Sequence, residues 1–244
     1  MSAVMGLGDE ILAAGQAKLI WQKTGKKVAI GSGSRTTQND LYKFIPYLTS
    51  PKFKEPFTWL LDGCGYRDYI LRKEYPNKED KREKVLIFND KYKAEPAIIE
   101  LEPIPNDYII IEPKIKPGAP IGKQWHHYQD VVDAFPDDKF LQFNFPTLEG
   151  VDVQKTNVIQ AAQWIAGCRC YIGTEGFLHH LAAAFDKPAV VLFGGYAPPE
   201  ILGYDSHTNI SYKAPAELGN RKARGAMDHI QPETVIKALR NYCG

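Results

Sequence analysis

The chain has 244 residues, 44% hydrophobic and 24% charged, an ordinary balance for a folded globular protein. Lys+Arg 30 against Asp+Glu 29 leaves a net charge of +1, which excludes attachment to nucleic acid by bulk charge alone. No apolar run approaches the ~20 residues that span a bilayer, no signal pattern opens the sequence, and Cys64, Cys168, Cys170 and Cys243 are spread as free thiols of a reducing cytoplasm would be.

In chain order, a short strand is expected at residues 2–5. A helix follows over 8–22, where Ile11, Leu12, Gly15 and Leu19 recur at helical spacing. Gly25 breaks it, and 27–31 (KVAIG) reads as a buried strand. Residues 72–84 (RKEYPNKEDKREK) read as a solvated charged loop. Strand 108–112 (YIIIE) opens a second unit, followed by a Pro/Gly loop through 122 and an amphipathic helix carrying Trp125, Tyr128, Val131, Val132 and Phe135 on one face. Then come strand 140–143, a helix capped by Thr156 and running to Ala166, strand 170–173, helix 177–185, strand 189–193 (AVVLF), and a last helix with Pro232 in its first turn. Alternating strands and helices predict an α/β chain. The proline-broken stretch at 103–106 divides it into 1–106 and 107–244.

Ligands of open α/β sheets bind beyond the carboxyl ends of the strands. Those ends carry Gly6-Leu7-Gly8-Asp9-Glu10, Gly31-Ser32-Gly33-Ser34, Glu112 through Lys123, Gly173-Thr174-Glu175-Gly176, and Gly194-Gly195-Tyr196. Glycine turns that open helices admit phosphate to the free N–H groups, so a phosphate-bearing ligand between two halves is expected. Asp9, at a helix start, is placed either to cap that helix, the commonest role for Asp there, or to act as a general base. Lys123 is either a diphosphate contact or a surface lysine. The adjacent pairs His126-His127 and His179-His180 chelate poorly, because neighbours on a helix diverge by about 100°, and Cys168-x-Cys170 lacks a second pair at zinc spacing.

Three motifs in order resemble one family. Gly6-Leu7-Gly8-Asp9-Glu10-Ile11-Leu12 is similar to the opening motif of the ADP-heptose:lipopolysaccharide heptosyltransferases, glycosyltransferase family nine. Lys123-Gln124-Trp125 is similar to its Lys-x-Trp. Residues 175–188 (EGFLHHLAAAFDKP) resemble its Asp-Ser-Gly-x-x-His-Leu-Ala-Ala-Ala-x-x-x-Pro, and Phe193-Gly194-Gly195 its Leu-Phe-Gly. The resemblance implies a GT-B-like fold of two Rossmann-like domains whose parallel sheets face across a cleft: a trimmed acceptor-side domain at 1–106 and a nucleotide-sugar domain at 107–244. It implies Asp9 as catalytic base, with Lys123, Thr174, Glu175, Gly176, His180, Gly194 and Gly195 binding the donor. Acceptor-side candidates are Gly8, Glu10 and Arg35. The expected reaction is an inverting, metal-independent transfer from an ADP-heptose-like donor to a hydroxyl, without a cofactor. Glu175 in place of Asp, Gly176-Phe177 in place of Ser-Gly, and Gly203-Tyr204-Asp205-Ser206-His207 near the end depart from the family pattern.

The acceptor reads as a glycan or, if Lys18, Lys23, Lys26, Lys27 and Arg35 line a basic groove, as a modified base in nucleic acid. A non-catalytic nucleotide-sugar-binding module and a two-domain epimerase are the other readings.

Overall fold

The computed structural model describes residues 6–31, 33, 39–50, 52, 55–61, 67–75, 85–114, 123–194, 197–211 and 227–243. The strand expected at 2–5, Ser32, Ser34, Arg35, Cys64, Gly195, Tyr196 and most of the loop before Lys123 lie outside the described residues.

The first half runs α1 (Leu7–Thr24), β1 (Lys27–Gly31), a 3-10 turn (Asp40–Phe44), β2 (Phe57–Leu61), β3 (Ile70–Glu74) and β4 (Val85–Phe88). The second runs β5 (Ile109–Glu112), α2 (Tyr128–Asp133), β6 (Phe140–Phe143), β7 (Asp152–Gln154), α3 (Val158–Gly167), β8 (Cys170–Thr174), α4 (Phe177–Ala184), β9 (Ala189–Phe193), α5 (Pro199–Leu202), β10 (Thr208–Ser211) and α6 (Pro232–Leu239).

Six strands of the second half form one wholly parallel sheet in the order β10-β9-β8-β5-β6-β7. The first strand of the unit is central, the next two lie to one side and the last three to the other. Winding therefore reverses between β5 and β8, which opens a crevice at their carboxyl ends. The central strands are apolar on both faces because helices cover both. Ile110, Leu141, Tyr171, Val191 and Phe193 join one core with α1, α3 and α4. Ile109, Ile111, Ile172, Val190 and Leu192 join the other with Trp125, Tyr128, Val235 and Leu239.

The first half is smaller. β1 and β2 pair in parallel, Val28 also bridges Leu48, and β3 pairs with β4 antiparallel. Its main element, α1, does not stand apart from the second half: Ile11, Leu12, Ala14 and Ala17 share the core that holds Leu181 and Ala182 of α4. Gly15 is required there, since a Cβ would stand 1.8 Å from the Glu95 carbonyl oxygen. Gly25 closes α1 in the left-handed conformation (φ 68°) and bonds back to the Trp21 carbonyl.

Three expectations need correction. Residues 72–74 of the charged run are part of strand β3, whose side chains after Ile70 are exposed. The α3 cap is Asn157, not Thr156: its side chain accepts from the Gln160 N–H while Gln160 bonds back to the Asn157 N–H, a reciprocal box. Trp125 precedes α2 and is buried with its indole N–H on the Ile230 carbonyl. Among the described residues, no helix is long and apolar enough to cross a membrane.

Candidate functional site

The reversal point of the sheet has Glu112 at the end of β5 opposite Gly173 of β8. Gly173 has no room for a side chain, because the Tyr171 hydroxyl fills that position 2.2 Å from where a Cβ would be. Glu112 accepts from the Lys114 N–H at 3.0 Å, and burial pushes its carboxyl up to about 7. Immediately beyond β8, Glu175 is buried and anchors its N–H to the Leu192 carbonyl on β9. Its carboxylate meets the Lys123 ammonium, and that ammonium also donates to the Glu175 carbonyl at 3.4 Å. Lys123 is thus no surface lysine: its side chain is 14% exposed and that of Glu175 4%.

Helix α4 begins at this turn, with its first N–H groups directed out of the helix toward the crevice side. The Gly176 N–H donates to His179 Nδ1 at 3.2 Å, which places the His179 proton on Nε2. His180 shares a 2.9 Å hydrogen bond through Nδ1 with the Tyr204 hydroxyl. Both imidazoles are buried, so neither is solvated. Burial, reinforced by the Lys123 charge, pushes His180 down to about 3. Burial also lowers His179, and it takes His207 down to about 4, only partly offset by the Lys187 backbone and Asp186. These imidazoles are neutral at pH 7. Tyr204 and His207 come from the segment that departs from the family pattern, and they fill the space behind His180.

The opening motif meets this turn from the other half. A methyl on Gly8 would stand 3.3 Å from Phe177 N and 3.5 Å from His180 Cδ2, so the bare glycine lets α1 approach the start of α4. Asp9 is the third residue of α1 and makes no cap: Gly6 holds that position without a side-chain bond. The Asp9 carboxylate is buried and bound to another segment. Arg67 Nε and Nη2 donate to Oδ2 at 3.0 and 2.9 Å, and the Tyr69 hydroxyl donates to Oδ1 at 2.9 Å. Glu10 turns inward onto the Asn39 amide, and burial raises its carboxyl above the usual range.

The structure therefore assembles Gly8, Lys123, Glu175, Gly176 and His180 at the start of α4, with Asp9 next along α1. Thr174 ends β8 with its carbonyl near the Tyr171 hydroxyl (3.4 Å), and Gly194 follows β9 at the same sheet edge. Arg67, Tyr69 and Tyr204 are added by the structure; no local pattern marks them. Of the basic residues near α1, Lys18 is buried on Glu95 (2.6 Å) and Lys27 pairs with Glu55 (3.3 Å). Cys168 and Cys170 are buried free thiols, and burial pushes Cys168 up to about 12, so neither is a ready nucleophile. Among the described residues, no group of three His, Cys, Asp or Glu is arranged to hold a metal ion.

Residues 148–230 match the family model of glycosyltransferase family 9 (heptosyltransferase). No curated protein matches the sequence. Among solved structures, the dodecameric iron-containing glycosyltransferase TibC of enterotoxigenic E. coli H10407 aligns with TM-score 0.68 at 12% identity, over 98% of this chain and 74% of that one. The family 9 glycosyl transferase of Veillonella parvula DSM 2008 aligns with TM-score 0.59 at 14% identity, over 98% and 94%. The E. coli ADP-heptose lps heptosyltransferase II aligns with TM-score 0.44 at 19% identity, over 57% of this chain and 47% of its own, so this chain spans about half of that protein. The two full-length alignments establish the GT-B-like fold.

Proposed function

We propose, on the premise that this chain is a divergent member of glycosyltransferase family 9, that it moves a sugar from a nucleoside-diphosphate donor to an acceptor hydroxyl with inversion. The observation that carries this reading is the meeting of the Gly8-Asp9 turn with the start of α4, beside the Lys123–Glu175 pair. The first turn of α4 and Lys123 offer N–H groups and a cation to a diphosphate. Asp9 offers a carboxylate from the facing element.

In the proposed reaction the acceptor oxygen attacks the anomeric carbon on the face opposite the diphosphate. The bond from that carbon to the phosphate oxygen breaks, and its electron pair leaves with the nucleotide. The acceptor proton passes to Asp9. Lys123 and the α4 amides take up the growing negative charge, in the manner of an oxyanion hole, so the step as written calls on no metal. With the Tyr204 hydroxyl donating to its Nδ1, neutral His180 would have its Nε2–H to offer a sugar or phosphate oxygen without adding charge.

A heptose-type sugar is the first donor to test, since the matched family is described as heptosyltransferase. A glycan hydroxyl is favoured over a nucleic-acid acceptor because Lys18 and Lys27, two members of the expected basic groove, are already paired. On this reading residues 1–106 would serve the acceptor side and residues 107–244 the donor side. The test is a thermal-shift panel of ADP-, UDP-, GDP- and CDP-sugars, followed by assay of nucleoside diphosphate release with glycan acceptors. One nucleotide series should raise the melting temperature by mass action and be turned over. No shift with any of them would contradict the reading.

A further inference from the structure

We infer that Arg67 and Tyr69 are positioning residues for Asp9, and that together they leave one lone pair, on Oδ1, to receive the acceptor proton. The inference rests on the reading of Asp9 as base and deepens it.

An ionised carboxylate has about four lone-pair directions, two on each oxygen. Asp9 Oδ2 takes two N–H groups of the Arg67 fork, at 3.0 and 2.9 Å, and is thereby filled. Oδ1 takes the Tyr69 O–H at 2.9 Å and has one direction left. The proton taken from an attacking hydroxyl therefore goes to Oδ1, while the O–H bond of the acceptor breaks and its oxygen bonds the anomeric carbon. A carboxylate held by three donors cannot rotate, so the side from which the acceptor approaches is set before it binds.

The hairpin of β3 and β4 is built to hold these two residues. The turn before β3 closes through the Ile70 N–H on the Arg67 carbonyl (2.7 Å), and the end of β4 clips it through the Asn89 N–H on the Tyr69 carbonyl (2.9 Å) and the Asn89 amide on the Asp68 carbonyl (3.2 Å). The Tyr69 ring is buried between Phe88 and Tyr92, with centroids at 6.4 and 5.7 Å. The β3 side chains beyond Ile70 lie in solvent. What the hairpin sends inward is a guanidinium and a phenol, which reach the carboxylate of a helix 58 and 60 residues earlier.

The test is a double-mutant cycle on the full chain, using Tyr69→Phe and Arg67→Met in the native and Asp9→Asn backgrounds. In the native background each should lower kcat roughly ten- to a hundredfold, the worth of a hydrogen bond to a charged group. Donor affinity should stay within about twofold, and Arg67→Lys should restore part of kcat through its single ammonium. In the Asp9→Asn background neither change should lower the residual transfer further. Equal losses in both backgrounds, or losses of kcat that follow donor affinity and melting temperature, would overturn the inference and leave Asp9 as base. Near-native transfer by Asp9→Asn alone would instead overturn the base reading itself, and this inference with it. Should Arg67→Met not fold, Tyr69→Phe, which removes one oxygen from a buried ring, decides alone.

Discussion

Two buried carboxylates stand near the start of α4, and they are held in opposite ways. Asp9 is fixed by three donors from a separate hairpin, two of them in the planar fork of Arg67. Glu175 faces one lysine ammonium, a compact charge on a flexible stem that bonds at the same time to the Glu175 carbonyl. On the proposed reading, the first arrangement orients a base and the second holds a cation for an arriving diphosphate to draw away from its partner. One functional group, the carboxylate, would then serve two purposes, with the donors around it deciding which.

The largest effect that separates the two is on Asp9. Asp9→Asn should reduce transfer roughly 10²–10⁴-fold while donor affinity stays near native. Since Asp9 bonds Arg67 rather than capping α1, the variant should also lose about 1–3 kcal/mol of stability, measured by urea unfolding. Unimpaired transfer would reduce Asp9 to a structural anchor.

Lys123→Ala comes next and should act on binding. Donor affinity should fall by about 1.5–3 kcal/mol, read by calorimetry. The free protein should lose about 3–5 kcal/mol as well, because a buried carboxylate is left without its cation. Adding Glu175→Gln to Lys123→Ala should recover much of the stability and none of the affinity. A Lys123→Ala protein as stable as the native one would show that the pair is not buried in solution.

The smallest effect lies behind the site, in the neutral imidazoles. His207 binds its proton near pH 6.5 in the unfolded chain and near 4 in the folded one. The unfolded state therefore takes up more protons as pH falls from about 6.5 to 4, and the stability present above 6.5 is progressively lost. His207→Leu should flatten that loss, visible as a melting temperature less sensitive to pH between 7 and 4.5. Glu112, raised to about 7, acts in the opposite direction, but equally in both proteins. Identical slopes would mean that His207 is accessible to solvent.

How far these features can be read from the sequence follows their physics. The strands β5, β6, β8 and β9 are short apolar runs because both faces are covered, and they are legible for that reason. β7 and β10 end the sheet at its two edges, where Asp152–Gln154 and Thr208–Ser211 each hold a single apolar residue among polar ones and carry no strand signal. β3 exposes Arg72, Lys73 and Glu74 and reads as a charged run. The Asn157 cap was open to reading, since Gln160 stands three residues on and completes the box. Asp9, Lys123, Glu175 and His180 lie within local motifs and could be singled out. Arg67 and Tyr69 could not, because a pairing across 58 and 60 residues leaves no period and no spacing rule. The cap reading of Asp9 failed for the same reason: its strongest partner is remote, and local pattern reports only near neighbours.

The most direct test of the account is a crystal structure with an unreactive nucleotide-sugar analogue. The diphosphate should lie against Lys123 and the first turn of α4, beyond the carboxyl ends of β5 and β8. The anomeric carbon should face Asp9 across the space an acceptor hydroxyl would fill, with Oδ1 nearer than Oδ2. A diphosphate at any other edge of the sheet, or a sugar turned away from Asp9, would contradict it.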